Sequence, residues 1–111
     1  MQVPFSHFAD LQIVIGTITA ATIVPEADRL LRLEVDVGED KPRQVISGIR
    51  EYVSNVDDLV GKQCPFVINL EPREIKGYES QAMILATHTT DTFSFLVPDS
   101  ADPVPPGTPV R

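Results

Sequence analysis

Cysteine and aromatic residues are scarce in this 111-residue chain. The single cysteine, Cys64, permits no internal disulfide, and its apolar neighbours at 65–70 predict a buried, unreactive thiol. Two tyrosines and five phenylalanines are few for a protein that grips single-stranded nucleic acid by stacking bases on aromatic rings. The composition therefore disfavours a disulfide-stabilised domain and a base-stacking protein.

Long hydrophobic runs are also missing. Within the first thirty residues, polar side chains interrupt every apolar stretch before it reaches the length of a signal peptide core or a membrane span. These interrupting residues are Asp10, Gln12, Glu26 and Asp28. We therefore expect a cytoplasmic protein that does not bind a membrane.

Catalytic and metal-binding patterns are absent as well. His7 and His88 lie far apart in sequence, no cysteine pair exists, and no glycine-rich phosphate loop or metal-ligand spacing occurs. The sequence predicts a protein without enzymatic activity, cofactor or metal.

The length and composition predict a single domain covering residues 1–111. Apolar residues make up 42% of the chain, which suits one globular core at about residues 10–97. The tail at residues 98–111 contains five prolines, which exclude a central strand or a helix there and predict a loose segment.

The charge balance is acidic, with nine basic residues against sixteen acidic ones and a net charge of −7. Such a chain repels a polyanion at long range. Eight of the nine basic residues nevertheless lie between Arg29 and Lys76, whereas the part beyond Gly77 holds four acids and only Arg111. This distribution leaves room for a local basic face.

Strand patterns dominate the first half of the chain. Apolar and charged residues alternate over Leu31–Val37, as a strand with one buried face requires. Ile13–Ile18 is rich in β-branched residues and is broken by Gly16, which predicts a strand with a bulge or sharp bend. A turn at 38–42 then predicts that residues 43–49 return as an antiparallel strand.

The second half adds one short helix and the remaining strands. Residues 54–61 combine a capping Ser54 or Asn55, acids in the first turn and a terminal glycine, which predicts a helix of at most two turns. Gln63–Leu70, 82–86 and 92–97 supply strand material. This order predicts an all-β, five-stranded OB-fold barrel with one short helix between strands 3 and 4 and short terminal extensions.

Seven short segments in a fixed order carry a family resemblance. They are Gly16-Thr17-Ile18, Pro25–Leu31, Val35–Gly38, Ser47-Gly48-Ile49, Leu59–Lys62, Asn69–Arg73 and Ile75–Leu85. Their order and spacing make the chain similar to the free-standing tRNA-binding proteins and to the related C-terminal domain of methionyl-tRNA synthetases. The ending, Pro98-Asp99 and Pro106-Gly107-Thr108, also resembles an export-chaperone branch of this family.

The resemblance implies a homodimer that recognises folded tRNA by shape and backbone contacts, with little sequence specificity. Such a protein either assists an aminoacyl-tRNA synthetase in trans or acts as a general RNA chaperone. Phe5, Phe8, Phe93 and Phe95 are candidate apolar surface for the dimer. The chaperone branch implies an alternative, a dimeric peptide-binding chaperone for unfolded client proteins linked to protein export. A third interpretation is a dimerisation module that serves a synthetase or another enzyme.

Arg73 and Lys76 are the leading candidates for contacts to phosphate. Arginine presents a planar fork and lysine a mobile point charge, and both suit phosphate oxygens. From composition alone both would be solvated loop charges balanced by Glu71, Glu74 and Glu79. The family resemblance favours the binding role.

Three polar residues near turns form a second group of candidates. Asn69 stands in an apolar stretch, so it either braces a neighbouring turn or binds a ligand. Ser80 and Ser47 either contact a phosphate or ribose hydroxyl, or satisfy local backbone amides.

Met83 and several arginines complete the predicted site. Met83 offers a flexible apolar surface to a base or sugar, with core packing as the default alternative. For Arg29, the alternative to RNA binding is a local ion pair with Glu26 or Asp28. The arginines that extend a positive track are Arg29, Arg32, Arg43 and Arg50.

Overall fold

The computed structural model describes residues 1–111 and consists mainly of short strands. In chain order the strands are β1 (Ile13–Ile23), β2 (Leu31–Asp36), β3 (Arg43–Ser47), β4 (Gln63–Val67), β5 (Arg73–Ile75), β6 (Tyr78–Ser80), β7 (Met83–Ile84), β8 (Ala86–His88) and β9 (Phe93–Phe95). One α-helix, α1 (Phe5–Ala9), precedes them, and 3-10 turns at Arg50–Tyr52 and Val56–Leu59 separate β3 from β4. Neither α1 nor the 3-10 turns have the length and apolar character needed to cross a bilayer.

Five antiparallel strands form a nearly closed barrel in the order β3-β2-β1-β4-β7. The long strand β1 is shared: residues 13–17 pair with β4 and residues 17–23 pair with β2. Hydrogen bonds between residues 80–81 and β3 narrow the gap between the two edge strands, β3 and β7. The Gln81 amide donates to the Gln44 carbonyl at 2.8 Å, and the Ile46 amide donates to Ser80 Oγ at 3.0 Å. The predicted OB-fold barrel is confirmed.

The core follows the alternation of β2. Leu31, Leu33 and Val35 are fully buried, and the charged residues between them are half-exposed on the outer face. Cys64 is also fully buried in β4, and desolvation raises the pKa of its thiol to about 11. The predicted burial of Cys64 is confirmed, and a thiol with a raised pKa stays protonated at neutral pH, the form that is a poor nucleophile.

Strand β1 carries the predicted bulge, although not at Gly16. The bulge of β1 falls between Ile18 and Ala20, and Gly16 lies in regular register opposite Cys64. A Cβ atom at Gly16 would lie 2.6 Å from Val35 Cγ1 and 2.9 Å from the ring of Phe66. Glycine is needed here for close packing, because two core side chains occupy the space that any larger residue would require.

The predicted helix at residues 54–61 is confirmed in position and is a single 3-10 turn, Val56–Leu59. The Asn55 side chain caps it by accepting a hydrogen bond from the Asp57 amide at 3.0 Å. The preceding 3-10 turn at Arg50–Tyr52 lies outside the segment predicted to be helical.

The predicted strand at 92–97 does not join the barrel. Its central residues form β9, which pairs only with β8 in a separate hairpin. Phe93 and Phe95 pack edge to face at 5.0 Å and lie against the barrel core. Both rings are half-buried and keep part of their surface exposed, so their assignment to a dimer surface stays a prediction.

The proline-rich tail at residues 98–111 is bound to the barrel, contrary to the expectation that it is loose. The Ile15 amide donates to the Thr108 carbonyl at 2.9 Å, and the Gly107 amide donates back to the Ile15 carbonyl at 2.8 Å. The tail thus occupies the edge of β1 that β2 leaves free. As the prolines predict, it forms no full strand there, only a single bridge between Val14 and Pro109.

Candidate nucleic-acid interface

A groove opens where the β5–β6 hairpin approaches the outer face of β3. Val45 of β3 belongs to the barrel core, whereas the next residue, Ile46, is buried on the outer face of the strand. The Ile46 amide donates a hydrogen bond to the hydroxyl of Ser80 in β6. The groove has a volume of about 460 Å³. Its apolar lining consists of Leu30, Ile46, Leu70, Ile75, Ala82, Met83 and Ile84, and its polar lining of Ser47, Glu71, Arg73, Ser80 and Gln81, with Gly48.

The hairpin has two chemically different faces. Arg73 and Ile75 line the groove, whereas Glu74, which lies between them in β5, does not. Glu74 and Glu79 are directly opposite each other in the hairpin register, so their carboxylates share the other face. The hairpin therefore presents its arginine to the groove and holds two of its acids away from it.

The tip of the hairpin carries Lys76 in a strained backbone conformation. Lys76 has φ +53° and Gly77 has φ +83°, the signs that a type I′ turn requires. Glycine, asparagine and aspartate adopt this conformation readily, whereas lysine does so at a steric cost. A lysine held at such a position marks the tip as a candidate functional element.

Three exposed basic residues of the predicted site are free of ion pairs. The single ion pair of the chain joins Arg43 to Glu39, so Arg29, Arg73 and Lys76 form none, and all three are exposed. The pairing considered for Arg29 with Glu26 and Asp28 is not formed. These cations are therefore available to phosphate without the loss of an existing partner.

Arg43 is engaged within the chain. Its guanidinium binds both carboxylate oxygens of Glu39 at 2.8 Å and donates to the carbonyls of Ile68 at 2.6 Å and Gln81 at 2.9 Å. The hydrogen bond from Arg43 lowers the pKa of the Glu39 carboxyl, and the same bond raises the pKa of Arg43. Arg43 thus ties β3 to the segments that follow β4 and β6.

Asn69 also braces the backbone. Its Oδ1 accepts from the Gln12 amide and its Nδ2 donates to the Asp10 carbonyl, both at 2.7 Å. Of the two roles that the sequence leaves open for Asn69, the geometry therefore favours bracing.

Ser80 plays a similar part at the groove. Besides accepting from the Ile46 amide, its hydroxyl donates to the Ala82 carbonyl at 3.3 Å, and the residue is buried. Both functions of the hydroxyl are used to hold β6 on β3, and this places Ser80 in the groove wall.

Met83 and Ser47 lie on the groove itself. Met83 is 45% exposed, so the default expectation that it fills the core is wrong. Ser47 is half-buried at the end of β3 and lines the same groove beside Gly48.

Arg32 adds a positive charge to the same outer face. It lies opposite Ile46 in the β2–β3 register, and directly paired residues of neighbouring strands present their side chains on one face. Arg32 Nε donates to Gln44 Oε1 at 2.6 Å, and Gln44 Nε2 donates to the Glu79 carbonyl at 2.9 Å. This relay connects Arg32 to the hairpin that forms the groove.

No group of three or more His, Cys, Asp and Glu side chains is arranged to hold a metal ion. The polar groups of the groove are the hydroxyls of Ser47 and Ser80, the amide of Gln81, the carboxylate of Glu71 and the guanidinium of Arg73. Hydroxyl, amide and guanidinium groups bind ribose and phosphate.

The family model described as a putative tRNA-binding domain matches residues 13–109. The chain belongs to this family. The matched range contains the barrel, the groove and all of the predicted site residues, so the resemblance read from the seven segments is confirmed.

Relatives of known sequence and structure agree with this assignment. The methionine–tRNA ligase of Salinibacter ruber is 43% identical over 89 residues, which cover 80% of this chain and 12% of that ligase. The MetRS related protein from Pyrococcus horikoshii has a TM-score of 0.86 at 28% identity, covering 100% of this chain and 99% of its own. The chaperone CsaA from Bacillus anthracis has a TM-score of 0.86 at 29% identity, covering 100% of both chains.

Within this tRNA-binding domain, the hairpin that shapes the groove is the feature that the sequence pattern missed. Its strands have only three residues each, too few for an alternating pattern to stand out. The one local signal was Lys76-Gly77 between apolar neighbours, a weaker hairpin signature than Asn-Gly or Asp-Gly.

Proposed function

We propose that this domain binds folded tRNA in the groove between β3 and the β5–β6 hairpin and catalyses no reaction. Arg73, Lys76 and Arg32 contact phosphates, and the apolar floor around Met83 supports a sugar or base edge. The observation that carries the proposal is the unpaired Arg73 on the groove-facing side of the hairpin, next to the unpaired Lys76 at its tip.

The remaining predicted site residues take two roles in this proposal. Arg29 and Ser47 extend the contact surface along the groove, since Arg29 precedes the lining residue Leu30. Arg43, Asn69 and Ser80 shape the groove, because their polar atoms are already engaged within the chain. A site built mainly on backbone contacts recognises the shape of folded RNA with little dependence on base sequence.

Salt dependence tests this function directly. Three phosphate contacts release three counterions, so the logarithm of the association constant for bulk tRNA should fall with log salt at a slope of about −2 to −3. Fluorescence anisotropy of labelled bulk tRNA over a salt series measures this slope. No binding at low salt, or an affinity that does not change with salt, would contradict the proposal.

We further propose a homodimer that covers the apolar groove beside α1. Phe5, Phe8, Leu11 and Val110 line this groove and are 77%, 45%, 41% and 38% exposed. Helix α1 has five residues and none of them is buried, and so short a helix is not stable by itself. A second copy packed against this face would supply the missing burial.

Replacing Phe8 by aspartate should convert the dimer to a monomer, because a carboxylate in an apolar interface is strongly unfavourable. Light scattering measures the mass directly. Val60→Asp is the matched control, since Val60 is 53% exposed and lies outside this groove. A monomeric parent protein, or a dimeric Phe8→Asp variant, would refute the proposed interface.

We place the protein in the cytoplasm, where it assists an aminoacyl-tRNA synthetase in trans by raising the local concentration of tRNA. The similarity of its sequence to a segment of the S. ruber methionine–tRNA ligase supports this role.

A peptide-binding chaperone linked to protein export is the alternative function. The apolar lining of the groove, the net charge of −7 and the similarity to the B. anthracis chaperone CsaA favour it. We rank it second because the unpaired cations at the groove suit phosphate better than an unfolded basic segment. Suppression of client aggregation by a protein that does not bind tRNA would reverse this order.

A further inference from the structure

An aromatic cluster lies at the 3-10 turn that follows β3. The rings of Tyr52 and Phe93 stack in parallel, with centroids 4.5 Å apart and an interplanar angle of 3°. The Tyr52 hydroxyl bonds to His88 Nε2 at 2.6 Å, and Phe95 packs edge to face on Phe93. The chain has only two tyrosines and five phenylalanines. The contacts within the cluster fix the orientation of one exposed ring, that of Tyr52.

Tyr52 keeps a free surface. The residue is 39% exposed, although Phe93 stacks on one face of its ring and the His88 ring lies tilted beside it with centroids 5.3 Å apart. The hydrogen bond to His88 and the stacking on Phe93 hold the ring in place, so a ligand that stacks on it does so with little loss of conformational freedom.

An unpaired cation, Arg29, is joined through its backbone to the turn that carries this ring, because the Arg50 amide donates to the Arg29 carbonyl at 3.3 Å. Desolvation, together with Glu51, raises the pKa of the Tyr52 hydroxyl, and the nearby guanidinium of Arg29 offsets part of that rise. Arg29 is exposed and forms no ion pair. An aromatic face with an adjacent arginine is the combination that binds a base and its phosphate.

The cluster is continuous with the groove. The Arg50 amide donates to the Arg29 carbonyl at 3.3 Å, which joins the turn that carries Tyr52 to the residue before Leu30. Leu30, Ser47 and Gly48 line the groove, and a Cβ at Gly48 would lie 3.9 Å from the Arg29 carbonyl oxygen, so the Arg29 backbone borders this end of the groove.

We propose that Tyr52 is a stacking platform for one unpaired base of the RNA whose backbone lies in the groove, with Arg29 on the phosphate of that nucleotide. This inference rests on the proposed tRNA-binding function and adds a second subsite to it. Unpaired bases in RNA loops and ends are the ones that stack on aromatic side chains, so the platform selects RNA with a looped-out or terminal base.

Tyr52→Ala should weaken binding of bulk tRNA about tenfold, which corresponds to about 1.4 kcal/mol. Tyr52→Phe should bind as the parent protein does, because it keeps the ring face. The slope of the salt dependence should stay the same in both variants, since neither change removes a charge. An unchanged affinity in a folded Tyr52→Ala variant would overturn the platform.

A second measurement uses the unmodified protein, in case Tyr52→Ala fails to fold. A tRNA carrying 2-aminopurine at an unpaired loop position should lose fluorescence on binding, because stacking on the ring quenches the base, and Tyr52→Phe should preserve this loss. Binding without quenching would overturn the platform.

The two proposals fail in different ways. If the parent protein does not bind bulk tRNA, both are refuted. If it binds, and removal of Arg73 and Lys76 weakens binding whereas Tyr52→Ala does not, the groove stands and the platform is refuted.

Discussion

Replacing Arg73 and Lys76 together by alanine should weaken the binding of bulk tRNA about 100-fold. A hydrogen bond to a charged group contributes about 1.5 kcal/mol at the lower end of its range, and two of them correspond to about two powers of ten. Both cations lack partners in the free protein, so their loss leaves no orphaned carboxylate behind. The expected effect therefore falls on binding, and the stability of the fold should change little.

The salt dependence of binding shows whether Arg73 and Lys76 contact phosphates directly or act only by long-range attraction. If each side chain neutralises one phosphate, the slope of log affinity against log salt should decrease in magnitude by about 1 for each, and about 2 for the pair. Anisotropy titrations over a salt series, with the parent protein in parallel, measure both the affinity and the slope.

Lys41→Glu is the matched control. It makes the same change in net charge, and Lys41 is exposed and lies outside both the tRNA groove and the groove beside α1. The control should retain its slope and most of its affinity. Equal losses in the double variant and in Lys41→Glu would show that net charge governs binding, and the groove would lose its assignment.

Local sequence pattern was sufficient for much of the barrel. The alternation over Leu31–Val37 predicts β2 and its buried face, because a strand with one side in the core must change polarity with a period of two. The prediction that the tail at residues 98–111 is loose is wrong, because local pattern does not determine its contacts. Its order comes from hydrogen bonds between Ile15 and residues 107–108, and no property of the tail sequence specifies that distant edge.

The sequence predicts where the candidate site lies but not what each residue does there, because each role depends on neighbours in space. Asn69 and Ser80 each allowed a bracing and a binding role, and the choice depended on partners 57 and 34 residues away along the chain. Arg43 is a similar case, since its contacts to the Ile68 and Gln81 carbonyls cross 25 and 38 residues. Propensity and spacing describe local structure and carry little information on such contacts.

Alanine at Phe66 should lower the free energy of unfolding by about 3–5 kcal/mol, the range measured for removal of a fully buried aromatic side chain. Phe66 is completely buried in β4 and belongs to the core cluster that joins the sheet on its inner side. Alanine at Gly16 should lower the free energy of unfolding by about 1–3 kcal/mol through overpacking, since its Cβ would overlap the Phe66 ring and Val35. Urea denaturation followed by circular dichroism measures both values.

The two changes should not be additive. Removal of the Phe66 ring clears one of the two obstacles to a Cβ at Gly16, so the double variant should be more stable than the sum of the single losses predicts. Gly48→Ala is the control for the glycine change. Its nearest neighbour would lie 3.9 Å from the new Cβ, an ordinary contact, so stability should change by less than about 1 kcal/mol. Strict additivity, or a Gly16→Ala variant as stable as Gly48→Ala, would mean that β1 and β4 do not approach each other as closely as the contact of Gly16 with Phe66 requires.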